Sequence, residues 1–337
     1  MQQTTFGRTG LQVSRTSFGC IPIQRISYEE STALLQHAYE NGVTLYDTAH
    51  GYTTSEDRIG TALHHVRDKI VLCTKSPAQT PNELMAHLDN SLRMLRTDYI
   101  DVLQFHGPKF VPRPGDENGL YDCIKKAQAQ GKIRFIGLSA HMLHVAKEAV
   151  ESELYDTLQF PFSYLSTPEE LAVTELCRKH NVGILGMKAL CGGILNNAKA
   201  AFAFLRQYEN IVPIYGIQTR EELDEFLRYE KNPPALDDAL QKEIDKDRVE
   251  LAETFCRACG YCLPCPANIP IPMAARMTFL LGRMVAKNFQ TPEWQENMRR
   301  ISDCTNCGNC IKHCPYELNV PELLKTHQEE YFKLLKA

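Results

Sequence analysis

Between about residues 14 and 230, short apolar runs alternate with stretches whose apolar residues recur every three to four positions. The short runs predict strands at Arg15–Gly19, Thr44–Asp47, Ile70–Thr74, Tyr99–Phe105, Ile133–Leu138, Thr157–Phe160, Val182–Met187 and Ile211–Tyr215. A segment of helical composition follows each. Tyr28–Asn41 is one, with Ala33, Leu34, His37 and Ala38 as its apolar-side pattern and Asn41-Gly42 as its stop. Pro81–Leu95 and Pro168–His180 begin with proline, which is preset for a first helical turn.

Eight strand–helix pairs in series predict a parallel sheet with helices outside it. A closed barrel and an open doubly wound sheet both satisfy that order. The count of eight favours the barrel, as does the absence of a G-x-G-x-x-G turn: neither Gly137-Leu138-Ser139 nor Cys191-Gly192-Gly193 makes that fingerprint. A barrel takes about 250 residues, so a chain of 337 leaves room for an appendage. The pattern breaks at Lys231-Asn232-Pro233-Pro234, and Leu236, Leu240, Ile244, Leu251 and Phe255 then mark the apolar stripe of an acidic helix. The expected organisation is a barrel over 1–232, a linker helix over 233–255, and a small domain with a helical tail over 256–337.

Net charge is −4, from 37 basic and 41 acidic residues, which offers no attraction to nucleic acid or anionic lipid. No apolar run approaches the roughly 20 residues that span a bilayer. The opening Met1-Gln2-Gln3-Thr4-Thr5-Phe6-Gly7 has neither a basic nor an apolar leader region, so a soluble cytoplasmic protein is expected. The cysteines alter this plain picture. There are 13, and eight fall in two short runs near the C-terminus, a clustering that points to metal rather than disulfides.

Cys304-x2-Cys307-x2-Cys310-x3-Cys314-Pro315 matches the bacterial four-iron ferredoxin run, and Cys256-x2-Cys259-x2-Cys262-x2-Cys265-Pro266 is one residue shorter at its end. Three closely spaced thiolates wrap one cubane, and the fourth is carried to the other. One cluster is therefore assigned to Cys256, Cys259, Cys262 and Cys314, and the other to Cys304, Cys307, Cys310 and Cys265. Structural zinc takes two Cys-x2-Cys pairs, a poorer description of two triples each followed by Cys-Pro. Two [4Fe-4S] clusters are expected, so the predicted fold is an α/β, (β/α)8 TIM-type barrel followed by a small helical ferredoxin-like iron–sulfur domain. Cys20, Cys73, Cys123, Cys177 and Cys191 read as small, mostly buried apolar residues.

Barrel chemistry sits at the C-terminal ends of strands. Asp47 ends the second expected strand, with Tyr52 in the loop after it; Lys75 follows the third; His106 follows the fourth. Singly, these are a helix cap, a rim aromatic, a snorkelling lysine and a structural histidine. Together, at successive strand ends, they form a set that chance seldom assembles.

On these residues the chain resembles the aldo-keto reductase family. The likeness rests on Asn41-Gly42-Val43-Thr44-Leu45-Tyr46-Asp47-Thr48-Ala49-x-x-Tyr52, on Thr74-Lys75, on Asp101-Val102-Leu103-Gln104-Phe105-His106, and on the opening Phe6-Gly7-Arg8-Thr9-Gly10-Leu11-x-Val13-Ser14. With its cysteine runs, the chain is similar to a subgroup carrying a C-terminal ferredoxin-like module. The resemblance implies a catalytic tetrad. Tyr52 is the general acid, Lys75 lowers its pKa, Asp47 holds Lys75, and His106 orients the substrate carbonyl. It also implies NAD(P)H bound extended along the later strand ends. Cys20 and Ile21 follow the first strand. Ser139 and Gln159 hold the carboxamide, and Lys188, Leu190 and Gly192 lie along the pyrophosphate and ribose. Gly216, Gln218, Thr219, Glu222 and Glu225 lie at the adenosine. Ala140 replaces an asparagine common in the family, which removes one carboxamide contact. Glu222 opposes a 2′-phosphate that nearby Arg220 would attract, so NADH and NADPH both stay open.

The expected activity is interconversion of a small carbonyl compound and an alcohol, with clusters in a structural, sensing or electron-transfer role. The alternatives are a ferredoxin-coupled electron-transfer oxidoreductase using a flavin, and a cofactor-sensing subunit. A ferredoxin-type redox partner belongs to the second reading. The loop His106–Gly119 and the C-terminal module are expected to wall the substrate pocket.

Overall fold

The computed structural model describes residues 1–251, 255–283 and 286–335. It divides into two compact units. One comprises Met1–Ala189 and Phe202–Leu236, the other Leu190–Ala201 and Asp237–Ala337.

The first unit begins with an antiparallel hairpin, β1 (Gln3–Thr5) and β2 (Gln12–Ser14). Phe6 and Val13 carry its apolar side into a cluster with Leu45, Val71, Cys73, Val102, Leu185, Val212 and Ile214. Gly7 has φ +54°, and a Cβ there would fall 2.2 Å from Gly183 N, so this close approach needs glycine.

Eight strands follow: β3 (Ser17–Gly19), β4 (Leu45–Asp47), β5 (Val71–Ser76), β6 (Ile100–His106), β7 (Ile133–Ser139), β8 (Thr157–Pro161), β9 (Gly183–Met187) and β10 (Ile211–Gly216). They form a closed parallel barrel in which β10 pairs with both β9 and β3. Each expected strand is present, its ends shifted by no more than two residues. Around the barrel run α1 (Tyr28–Glu40), α2 (Ser55–Leu63), α3 (Pro81–Leu95), α4 (Leu120–Ala129), α5 (Leu143–Glu151), α6 (Pro168–Leu171), α7 (Val173–Lys179), α8 (Ala198–Leu205) and α9 (Arg220–Lys231).

Capping boxes start four of these helices: Ser27 with Glu30, Thr80 with Glu83, Thr167 with Glu170, and Thr219 with Glu222. The helix expected over Pro168–His180 is split into α6 and α7 at Ala172, whose ψ of −17° loosens the α-helical ladder. Parallel register sets His106 beside Ser139, Ser139 beside Gln159, and Asp47 beside Cys73. The strand C-termini share one end, so these side chains meet at one mouth of the barrel.

The second unit contains α10 (Asp238–Glu250), α11 (Ile271–Ala274), α12 (Met277–Arg283), α13 (Pro292–Arg299), α14 (Asn309–Lys312) and α15 (Val320–Leu334). α15 buries Leu324, His327 and Tyr331; Tyr331 OH donates to Phe289 O at 2.7 Å, and Thr278 Oγ1 lies 2.7 Å from His327 Nδ1.

The division differs from the boundary expected at residue 232, because Leu190–Ala201 groups with the C-terminal residues. Two arginines, Arg276 buried and Arg283 largely covered, account for this. Arg276 Nη1 donates to Cys191 O at 3.2 Å, and Arg283 Nη1 donates to Ile194 O at 3.2 Å. Arg283 Nη2 also pairs with Asp247 and Glu250, each at 2.8 Å, which ties α10 to the same unit. The linker helix expected over 233–255 starts at Asp238, where the Asp237 side chain accepts from Leu240 N at 2.9 Å; residues 252–254 lie outside the described residues. No helix among the described residues is long and apolar enough to cross a membrane.

Candidate active site and cysteine module

At the barrel mouth Lys75 is 1% exposed and Asp47 4%. A buried ammonium needs all its protons met, and Lys75 Nζ donates to Asp47 Oδ1 at 2.8 Å, Asp47 Oδ2 at 2.7 Å and Thr48 O at 2.6 Å. Burial alone would lower the Lys75 pKa, but the charges of Asp47 and Tyr52 outweigh it and hold it above its ordinary value. Burial also raises the Asp47 carboxyl, against the opposing pull of Lys75, Gln159 and Gln104. Lys75 Nζ stands 5.2 Å from the centre of the Tyr52 ring.

The Tyr52 ring meets His106 edge to face, with centroids 5.8 Å apart and planes at 81°. Lys75 pulls the Tyr52 pKa down, but burial pushes it up by more, and the net position is above the ordinary tyrosine value. His106 is driven down to about 3 by burial and by the Lys75 charge, so its imidazole is neutral at ordinary pH. A neutral ring can donate one hydrogen bond to a carbonyl oxygen without competing as an acid.

The structure adds two residues that the sequence reading did not single out. Gln104, fully buried on β6, donates to Gln159 Oε1 at 2.9 Å and lies 3.5 Å from Asp47 Oδ1. Its position two residues before His106 puts both on the inward face of one strand, and that period-two spacing was the available signal. His141, just past β7, is also driven down to about 3, by burial and by the nearby charges of Lys188 and His106.

The expected cofactor residues are placed as follows. Ser139 is buried at the end of β7 and Gln159 in the middle of β8, and Gln159 Nε2 donates to Asp47 Oδ2 at 3.3 Å. Cys20 is buried, its N–H donating to Asp47 O at 2.8 Å, and Ile21 is 41% exposed. Lys188 follows β9 with φ +61°. Leu190 and Gly192 belong to the second unit, where a Cβ on Gly192 would meet Arg276 Nη1 at 3.0 Å. Gly216 ends β10. The Glu222 carboxylate accepts from Gln218 N at 2.7 Å and Thr219 N at 3.1 Å, and Thr219 Oγ1 accepts from Glu222 N, so this carboxylate caps α9. Glu225 accepts from Tyr229 OH at 2.6 Å, and Arg220 is turned to Asp224 at 3.7 Å.

In the second unit the two cysteine runs share a backbone course. Ala258 and Asn306 occupy the same place between first and second cysteine, and Gly260 and Gly308 the same place after the second. All four are left-handed, with φ +49°, +51°, +84° and +74°. These turns let each short run curl around a common centre. A cavity is lined by Cys265 of the first run together with Cys304, Cys307 and Cys310 of the second, and Cys262 also reaches it. The cavity thus brings together the four thiols assigned above to one cubane, along with Cys262, which was assigned to the other.

Burial and the neighbouring Cys256, Cys259 and Cys310 push the Cys262 thiol up to about 12; burial also raises Cys310. Thiolates crowded together in this way need metal cations between them, and the donor set fits a cluster. Among the described residues, no three Cys, His, Asp or Glu side chains converge on a single-ion site. Cys20, Cys73, Cys123, Cys177 and Cys191 are buried, as expected.

Comparison with known proteins agrees with this geometry. The model of the aldo/keto reductase family matches residues 15–203, and that of a 4Fe-4S dicluster domain matches residues 255–319. The aldo-keto reductase YhdN of Bacillus subtilis (strain 168) is 29% identical over 214 residues, 58% of this chain and 64% of that protein. Versiconal hemiacetal acetate reductase of Aspergillus parasiticus is 24% identical over 317 residues, 80% of this chain and 88% of that protein. Several of these matches span about two-thirds of the relative's length. The solved structure of an aldo-keto reductase from Klebsiella pneumoniae in complex with NADPH shares the fold, with a TM-score of 0.63 and 21% identity over 73% of this chain and 95% of that one. The family match covers more than half of the sequence, and this chain belongs to the aldo/keto reductase family, with a 4Fe-4S dicluster domain following its barrel.

Proposed function

We propose that the chain reduces a small carbonyl compound to an alcohol with NADH or NADPH, and that its cysteine module holds two [4Fe-4S] clusters. One observation carries the reading: the buried Lys75–Asp47 pair stands beside Tyr52, with His106 across the Tyr52 ring. In this reading Ser139 and Gln159 hold the nicotinamide carboxamide, and the contacts of Gln159 with Gln104 and Asp47 support it by fixing the Gln159 side chain. The bound nicotinamide supplies hydride to the carbonyl carbon. Tyr52 donates its phenolic proton to the carbonyl oxygen, and the neutral His106 imidazole hydrogen-bonds that oxygen and orients it. Lys75 stabilises the phenolate left behind, and Asp47 keeps Lys75 in place.

The choice of dinucleotide belongs to this proposal too. The Glu222 carboxylate occupies the N-terminus of α9, and Arg220 is turned to Asp224, an arrangement that favours NADH.

A second reading rests on Cys307, which is exposed. A cluster held there lies at the surface, where it exchanges single electrons with a ferredoxin-type protein. The test of the main reading is turnover by anaerobically purified chain on a panel of aldehydes, ketones and sugars, with each dinucleotide, beside a Tyr52→Phe variant. Dinucleotide consumption matched by alcohol formation supports it, and saturable binding of neither dinucleotide contradicts it.

A further inference from the structure

Inside the barrel, behind the tetrad, the polar chain does not stop at Asp47. Gln104 pairs in register with Gly137 of β7, where a Cβ would fall 2.8 Å from Gln104 Cγ and 2.4 Å from Thr157 Oγ1. Glycine at 137 therefore leaves the room that the Gln104 side chain fills. Gln104 Nε2 faces two acceptors, Gln159 Oε1 at 2.9 Å and Asp47 Oδ1 at 3.5 Å. Gln159 in turn presents its own Nε2 to Asp47 Oδ2 at 3.3 Å.

Gln104 Oε1 is buried with no hydrogen-bond partner among the described residues. The opposite rotation of this amide would aim its oxygen at a carboxylate and at another carbonyl, so the two acceptors settle its orientation. A core glutamine that leaves its own acceptor unmet in order to point its donor at this pair is an expensive way to fill space; a leucine or methionine would do that better. The cost is explained by what the donor does.

We infer that Gln104 is a positioning residue for proton transfer: by fixing the Gln159 amide and by its own N–H, it holds the Asp47 carboxylate ionised and aligned on Lys75. The inference rests on the reductase reading for its purpose, but not for its geometry. Titratable neighbours of Asp47 come from three places: Cys20 beyond β3, Tyr52 in the loop after β4, and Cys73 and Lys75 on β5. β6 and β8 contribute the two neutral amides. The two amides stabilise the Asp47 charge, and with it the hold on Lys75, the cation that pulls Tyr52 down.

The experiment is an NMR titration of 13C-carboxyl-labelled aspartate in the full chain, with Asp47→Asn to identify the signal. Gln104→Met keeps the shape and removes the donor. The Asp47 midpoint should move up by about one pH unit, a tenfold change in its ionisation constant. Carbonyl turnover should show kcat down about tenfold with KM little changed, the pattern of a group that acts only in the chemical step. Should Gln104→Met fail to fold, Gln104→Leu removes the same donor with a smaller apolar side chain, and the midpoint should move in the same direction. An Asp47 midpoint unchanged by these substitutions overturns the inference and leaves Gln104 as packing. The titration needs no turnover, so a chain that reduced no carbonyl would sink the reductase reading while the shift still decided the role of Gln104.

Discussion

Lys75 Nζ contacts both carboxylate oxygens of Asp47, at 2.7 and 2.8 Å, and gives its third proton to Thr48 O, so every ammonium hydrogen is taken inside the barrel. The ammonium thus acts on Tyr52 through its field, from 5.2 Å off the ring centre, while its hydrogen bonds hold it still. Such a pair is costly to bury and costly to break, which distinguishes it from the exposed ion pairs elsewhere on the barrel.

Lys75→Met should therefore cost about 3–5 kcal/mol of stability, because it leaves the Asp47 carboxylate buried and unpaired. Adding Asp47→Asn to it should recover a clear part of that loss in a urea unfolding series. No recovery would mean that the two side chains are not energetically coupled.

The pH dependence follows from the directions of the shifts. Reduction needs Tyr52 protonated and His106 neutral. Tyr52 titrates above its ordinary value and His106 at about 3, so kcat/KM should run flat across neutral pH. It should fall on the alkaline side, as Tyr52 loses its proton. In Lys75→Met the cation that pulls Tyr52 down is gone, so that alkaline fall should move to higher pH, at a much lower rate. A limb near the ordinary histidine range that vanished in His106→Gln would contradict this assignment.

Much of this fold was legible in the sequence because its barrel strands are short, apolar and separated by amphipathic helices. Eight runs, from Arg15–Gly19 to Ile211–Tyr215, all became strands. The meeting of Asp47, Tyr52, Lys75 and His106 was legible because strand ends are fixed by the same pattern. Three things were not. The pairing of Leu190–Ala201 with the C-terminal unit depends on Arg276 and Arg283 reaching backbone carbonyls, and no residue pattern encodes that contact. The direction of the Tyr52 shift depends on burial, which a list of neighbouring charges omits. The Gln104–Gln159 contact joins positions 55 apart, brought together only by barrel closure.

Glu222 caps α9 through Gln218 N and Thr219 N, so its replacement acts twice. Glu222→Arg should cost about 1 kcal/mol of stability through loss of the capping contacts. It should also shift the ratio of NADPH to NADH affinity toward NADPH, by at least several-fold in direct titration. An unchanged ratio would move the selection of the dinucleotide to Arg220 or elsewhere.

The anaerobic chain should contain eight irons and eight acid-labile sulfides, as two four-iron clusters require. Cys314→Ala should damage the cluster held by Cys256, Cys259 and Cys262, and spare the one whose thiols line the cavity with Cys265. Stoichiometric zinc without sulfide would overturn the cluster assignment. Loss of only the Cys304–Cys310 cluster would show that each run serves its own cubane.

The central claim is that Tyr52 supplies the proton for carbonyl reduction, and Tyr52→Phe tests it most directly. The change removes one hydroxyl and keeps the ring that packs edge to face on His106. With a substrate found in the carbonyl panel, turnover should drop by about 10² to 10⁴, while the dissociation constant for the dinucleotide stays within about threefold of wild type, a difference of well under 1 kcal/mol. A Tyr52→Phe chain that turns over that substrate at close to the wild-type rate would contradict the account.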